Sequence, residues 1–132
     1  LRIWNLGTKD RIGGDWPLFV KAVADIGMTA DKSTVAAIDL DGFVKVADVN
    51  SRESKPKFRA VTAGVNGLVV APNGGALATL SADGEVKAWD MDGKELRKWT
   101  LPTVPNAAAF TPDGKKLVTA NRDGTLYVLD MP

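Results

Sequence analysis

The sequence predicts an all-β chain assembled from repeated units of four short antiparallel strands. Three observations lead to it. Asp-Gly recurs at Asp41-Gly42, Asp83-Gly84 and Asp123-Gly124; Asp48, Asp90 and Asp130 follow in one frame, and Asp31, Asn73 and Asp113 precede in the same frame. The residues flanking each Asp-Gly alternate in polarity with a period of two, as a half-buried strand requires. Between these runs stand the Pro, Asn, Asp and Gly residues that tight turns need.

Each element follows in order. The opening segment LRIWNL fits the end of the frame, with Asn5 in place of the final Asp, so that Asn5, Asp48, Asp90 and Asp130 lie 43, 42 and 40 residues apart. Three hairpins follow, TVAAIDL-DG-FVKVADV, ALATLSA-DG-EVKAWDM and KLVTANR-DG-TLYVLDM. Asp-Gly between alternating runs predicts a type I′ turn, with positive φ at both central residues. Before each hairpin a strand ends at Met28, Val70 or Phe110, and a more polar strand precedes that one, roughly at 9–14, 57–62 and 96–101. The stretch from Trp16 to Met28 also carries a helical pattern, with Leu18, Ala22, Val23 and Ile26 on one face and Asp15 as a cap. The repeat frame assigns it to strand, because Met28 aligns without gaps with Val70 and Phe110. The expected organisation is one domain over 1–132, with repeats near 7–48, 49–90 and 91–132 after a lone strand at 1–6.

Composition narrows the chemistry. The chain has 132 residues, 45% hydrophobic and 25% charged, with net charge +1. It has no cysteine and no histidine. Disulfide scaffolds, thiolate catalysis, His-based triads and histidine metal sites are therefore outside its means. Near-zero net charge argues against a nucleic-acid surface, and no apolar run approaches the ~20 residues of a membrane span. The lack of cysteine and of a signal-like start points to the cytoplasm, and the midstrand start to a piece of a longer chain.

A unit of 40–43 residues with four strands and a closing Trp-Asp resembles the WD-repeat β-propeller family. Trp89-Asp90, the weaker Trp4-Asn5, the Asp-Gly turns and the phrase from Phe110 to Asp130 carry the resemblance, which covers essentially the whole chain. It implies a partial β-propeller of four-stranded antiparallel blades. The family's blade-stabilising tetrad joins a His, a Ser/Thr, the turn Asp and the Trp. With no His, the positions left would be Ser81, Asp83 and Trp89 in the middle repeat, with Asp41 and Asp123 as the turn Asp of the others. The resemblance also places the partner-binding rim at Asp15, Trp16, Leu40, Asn66, Ala82, Thr103 and Arg122.

Other chemistry is weak. Asp39 and Asp41 stand two apart in a turn, but the calcium-loop pattern is missing; solvated turn carboxylates are the expectation, and no metal is assigned. The stretch from Ala88 to Trp99 resembles a tryptophan-docking segment of quinoprotein propellers, with its Gly-Lys and Trp out of place. A quinoprotein-like enzymatic propeller, or a sensor domain attached to an enzyme, is thus the alternative function. The run Ser51–Arg59, net +3 by its four cations and Glu53, reads as an outer strand kept soluble by charge. The expectation is a non-enzymatic interaction or scaffold module without a cofactor. Three blades do not close a ring, so further copies of the chain, or missing blades of a larger protein, are expected to complete it.

Overall fold

A computed structural model describes residues 2–14, 19 and 21–132. Thirteen strands run in chain order among them: β1 (Ile3–Trp4), β2 (Arg11–Ile12), β3 (Val23–Met28), β4 (Thr34–Asp39), β5 (Phe43–Asp48), β6 (Phe58–Arg59), β7 (Val65–Val70), β8 (Leu77–Ser81), β9 (Glu85–Trp89), β10 (Glu95–Thr100), β11 (Pro105–Phe110), β12 (Lys116–Asn121) and β13 (Leu126–Asp130). They form antiparallel sheets β1-β2, β3-β4-β5-β6, β7-β8-β9-β10 and β11-β12-β13. No helix occurs among the described residues. The chain is a partial β-propeller.

Each complete sheet takes its outermost strand from the segment that leads into the next sheet: β6 pairs with β5 and β10 with β9. The first strands β3, β7 and β11 stack on one another as the inner layer. Small residues allow that approach. A Cβ on Gly27 would come within 2.7 Å of the Val70 side chain across the β3–β7 contact. A register shift recurs at the same place in all three, between Val23 and Asp25, Val65 and Gly67, and Pro105 and Ala107. The segment from Trp16 to Met28 is a strand from Val23 onward; Asp15 to Leu18 and Val20 lie outside the described residues.

The core lies between sheets. Ile38, Val44 and Val46 of one sheet pack against Leu68, Val70, Leu77 and Trp89 of the next. Leu80, Val86 and Leu101 in turn meet Leu117 and Leu129. Burying apolar surface at ~25 cal/mol per Å² is what binds one sheet to its neighbour. Backbone and side-chain bonds cross as well: Ala30 N–H donates to Pro72 O (3.1 Å), and Leu68 N–H to the Asp25 carboxylate (2.9 Å).

The Asp-Gly turns differ from the type I′ expectation. Only the glycines, Gly42 (φ 84°), Gly84 (92°) and Gly124 (86°), are left-handed; Asp41, Asp83 and Asp123 are not. The N–H of each glycine bonds the carbonyl three residues back, on Asp39, Ser81 and Asn121. This is the three-residue hairpin in which a type I turn is followed by a left-handed glycine bulge. The loop is one residue longer, which is why β4, β8 and β12 stop at Asp39, Ser81 and Asn121.

At the opposite end the turns are equally repetitive. Asp31, Asn73 and Asp113 each accept the N–H two residues ahead, from Ser33, Gly75 and Lys115. The next residue is left-handed in all three: Lys32 (φ 62°), Gly74 (73°) and Gly114 (71°). Lysine pays a steric penalty there that its two counterparts avoid. Lys32→Gly relieves a left-handed penalty of about 1–2 kcal/mol, partly offset by glycine's greater loss of chain entropy, and is expected to raise the urea midpoint.

Candidate functional site

The hairpin tips are built first by backbone. Leu40 N–H donates to Ala22 O (3.0 Å), Ala82 N–H to Gly64 O (2.9 Å) and Arg122 N–H to Val104 O (2.9 Å). One bond repeated in three sheets ties each tip to the segment entering its own first strand. Leu40, Ala82 and Arg122 are all exposed on that frame. Leu40 is 64% exposed although apolar, a feature that solvent alone does not favour.

The remaining rim positions separate. Thr103 is half-buried, and its hydroxyl contributes to holding the Asp123 carboxylate. Asn66 is half-buried and donates from Nδ2 to Pro105 O (3.0 Å), a bond from β7 to β11. It joins sheets rather than standing ready for a partner. Asp15 and Trp16 lie outside the described residues.

Beneath the tips, the carboxylates are committed to their own turns. Asp39 is buried, and its Oδ1 accepts from Asp41 N–H (3.0 Å) and Phe43 N–H (2.9 Å). Asp83 is held below the usual carboxylate range by the Ser81 hydroxyl and then by the Glu85 N–H. The Thr125 hydroxyl and N–H do the same for Asp123. These groups shape the rim by holding its turns.

Trp89 does not join Ser81 and Asp83 in one network. Its Nε1–H donates to Thr79 Oγ1 (3.0 Å), two residues before Ser81 on β8. The signal was available: strand side chains alternate, and β8 pairs Leu77 with Trp89, which brings Thr79 within the indole's reach. In the last sheet the place of Trp89 is taken by Leu129 and that of Thr79 by Thr119. Thr119 is fully buried with an unpartnered hydroxyl. Thr119→Val is expected to raise stability by about 1 kcal/mol, read by thermal melting.

A cleft of about 320 Å³ below the first tip is lined by Phe19, Asp39, Asp41, Phe43 and lysines 21, 45 and 57. Lys57 Nζ lies 4.7 Å from the Phe43 ring centre and the Arg59 guanidinium 5.6 Å. The basic run thus covers an aromatic on its own sheet. Trp99 is half-buried against the second core cluster with Arg97 over its ring (5.6 Å), so it serves packing on β10. Among the described residues no group of three or more acidic side chains is placed to hold a metal ion.

At the far rim Asp31 is lowered to about 2, chiefly by the Thr29 hydroxyl and then by Ser33 N–H. Asp48, Asp90 and Asp113 are also lowered, first by Ser51 N–H, Lys94 N–H and the Thr111 hydroxyl respectively. A folded-state pKa below the unfolded one adds stability that is present above about pH 4 and is lost as pH falls towards 2. The melting temperature is therefore expected to hold from pH 7 to 5 and to fall below pH 4.

The geometry agrees with comparisons to known proteins. The family model described as WD domain, G-beta repeat, matches residues 53–90 and 94–130. The chain is 38% identical over 68 residues to eukaryotic translation initiation factor 3 subunit I of Aspergillus oryzae, covering 47% of this chain and 20% of that protein. It is 27% identical over 111 residues to the angio-associated migratory cell protein of Homo sapiens, covering 83% and 25%. To the target of rapamycin complex subunit wat1 of Schizosaccharomyces pombe it is 30% identical over 112 residues, covering 83% and 35%. The chain thus spans between a fifth and about a third of the length of these relatives.

Proposed function

This chain belongs to the WD domain, G-beta repeat family, and on that premise we propose that it is a non-enzymatic module for protein–protein interaction, contributing blades to a scaffold. The observation that carries the reading is the row of exposed tips, Leu40, Ala82 and Arg122, each locked by the same backbone bond. Rigid scaffolds commonly present binding residues on loops, and Arg is a residue type enriched in interface hot spots. Two relatives, a subunit of a translation initiation factor and a subunit of a target of rapamycin complex, support protein partners. Within this chain the absence of His and Cys leaves no histidine base and no thiol nucleophile.

Proximity labelling from the chain tests it. A Leu40→Asp/Arg122→Glu variant is expected to lose a defined set of labelled proteins that wild type retains, with an unchanged circular dichroism melt. Lys94→Glu at the far rim is expected to keep them. Equal loss from both variants, or no rim-dependent set at all, would overturn the reading.

A further inference from the structure

The joint between the first two four-stranded sheets and the joint that follows it are built on one plan, and the second holds cations that the first lacks. Register fixes the comparison. Trp99 faces Val86 as Phe58 faces Val44, and Glu95 faces Trp89 as Ser54 faces Ala47. Pro56 therefore stands at the place of Arg97. Glu53, whose carbonyl accepts from Asp48 N–H, stands at that of Lys94, whose carbonyl accepts from Asp90 N–H.

At the second joint the far rim is closed by the chain's own basic side chains. Arg97 lies over the Trp99 ring (5.6 Å) and donates from Nη1 to Asp130 O of the next sheet (3.2 Å). Lys116 Nζ pairs with the Asp130 carboxylate. At the first joint the counterparts of Asp130, Lys116 and Arg97 are Asp90, Ala76 and Pro56. The acid is kept, and uncharged residues replace both cations.

A cleft of about 370 Å³ opens there, between two four-stranded sheets and away from the open faces at either end. Val46, Ala47 and Met91 supply its apolar lining, and Asp48, Glu53 and Lys55 its charged lining. Lys55 Nζ is bonded to Asp92 Oδ1 (2.6 Å). Asp48, Glu53 and Asp92 thus set three carboxylates against one ammonium around the cleft. A second cleft of about 430 Å³ shares Thr34 and Gly74 with it, and Asp31 is its charged residue among the described ones.

We propose that the first cleft receives an arginine side chain from an extended segment of a partner protein, placed as Arg97 is placed at the next joint. The guanidinium fork donates to a carbonyl and a carboxylate together, which an ammonium does less well. Its methylene stem lies against Val46 and Met91. The carboxylates turn away acidic segments, and the adjoining cleft with Asp31 favours further positive charge on the same segment. Taking a protein as the partner rests on the interaction reading above. The site itself is on the rim opposite Leu40, Ala82 and Arg122, so each surface can fail without the other.

The probe is the peptide acetyl-Ala-Arg-Ala-amide, titrated into the isotopically labelled chain and followed by amide NMR. Saturable shifts are expected at Ser54, Lys55, Gly74 and Met91, in the millimolar range. Citrulline in place of the arginine, an uncharged isostere, is expected to bind about tenfold more weakly, the loss for one hydrogen bond to a charged group. Pro56→Arg sets the chain's own guanidinium in the cleft and is expected to abolish the shifts. Glu53→Lys alters an exposed side chain and is expected to weaken binding about tenfold with circular dichroism unchanged; should Pro56→Arg not fold, this variant decides. Shifts absent from these amides, equal binding of the citrulline peptide, or wild-type binding by Glu53→Lys or by folded Pro56→Arg would overturn the proposal. Tip-dependent labelling that persists without these shifts would leave the rim reading standing and remove this one.

Discussion

Replacing Trp89 by alanine is expected to cost about 3–5 kcal/mol, the range for truncating a buried Trp. Trp89 is buried on β9, with Phe58 of the preceding sheet at 5.1 Å between ring centres and an interplanar angle of 44°. That tilted aromatic contact adds to area burial. The indole N–H is spent on Thr79 Oγ1, so the ring's only polar atom is satisfied in the core. Since Phe58 belongs to β6 and Trp89 to β9, the loss falls on the joint between two sheets. Urea unfolding is expected to show a lower midpoint and a shallower slope as the sheets uncouple. Trp89→Phe is expected to cost less, about 1–2 kcal/mol, since the apolar contact largely survives and the Thr79 hydroxyl loses its donor.

A graded series at the three hairpin glycines is expected to have the next largest effect. All three are left-handed, which costs an alanine about 1–2 kcal/mol by itself. At Gly124 that is the whole penalty, since nothing lies within 4 Å. At Gly84 the new Cβ would stand 2.8 Å from Leu101 O, and at Gly42 only 2.0 Å from Val61 O. The obstacle at Gly42 is backbone, so the end of the outermost strand must move, weakening the bonds from Ala60 and Val61 N–H to Gly42 O. Gly42→Ala is expected to cost 3 kcal/mol or more, on the order of a 10 °C fall in Tm, against about 1 kcal/mol for Gly124→Ala. Equal losses at the three sites would refute the account.

The periodic parts of this fold were legible because its repeats obey one frame. Met28, Val70 and Phe110 end β3, β7 and β11 as the alignment of turns required. What the frame did not carry was local. Asp-Gly suits two hairpin geometries, and only the backbone of Asp41, Asp83 and Asp123 decides for the longer loop. Asn66 looks like a surface loop residue, yet its amide bridges two sheets. Such a bond depends on a neighbour 39 residues away, which no short-range pattern contains. Thr79 was missed in favour of Ser81 because the pairing register, rather than proximity to Asp-Gly, selects the indole's partner.

The offset between the period of the sequence and the membership of the sheets has a further consequence. β6 is covalently continuous with the strands that follow it and hydrogen-bonded to the sheet before it. A protease nick in the loop just upstream, around Asn50–Ser51, would sever the peptide without releasing either piece. The Ala47↔Ser54 bridge and the Phe43↔Arg59 and Val44↔Phe58 pairs span the cut. The halves would behave as a split protein held by a tongue of one in the groove of the other, and new termini could be opened there.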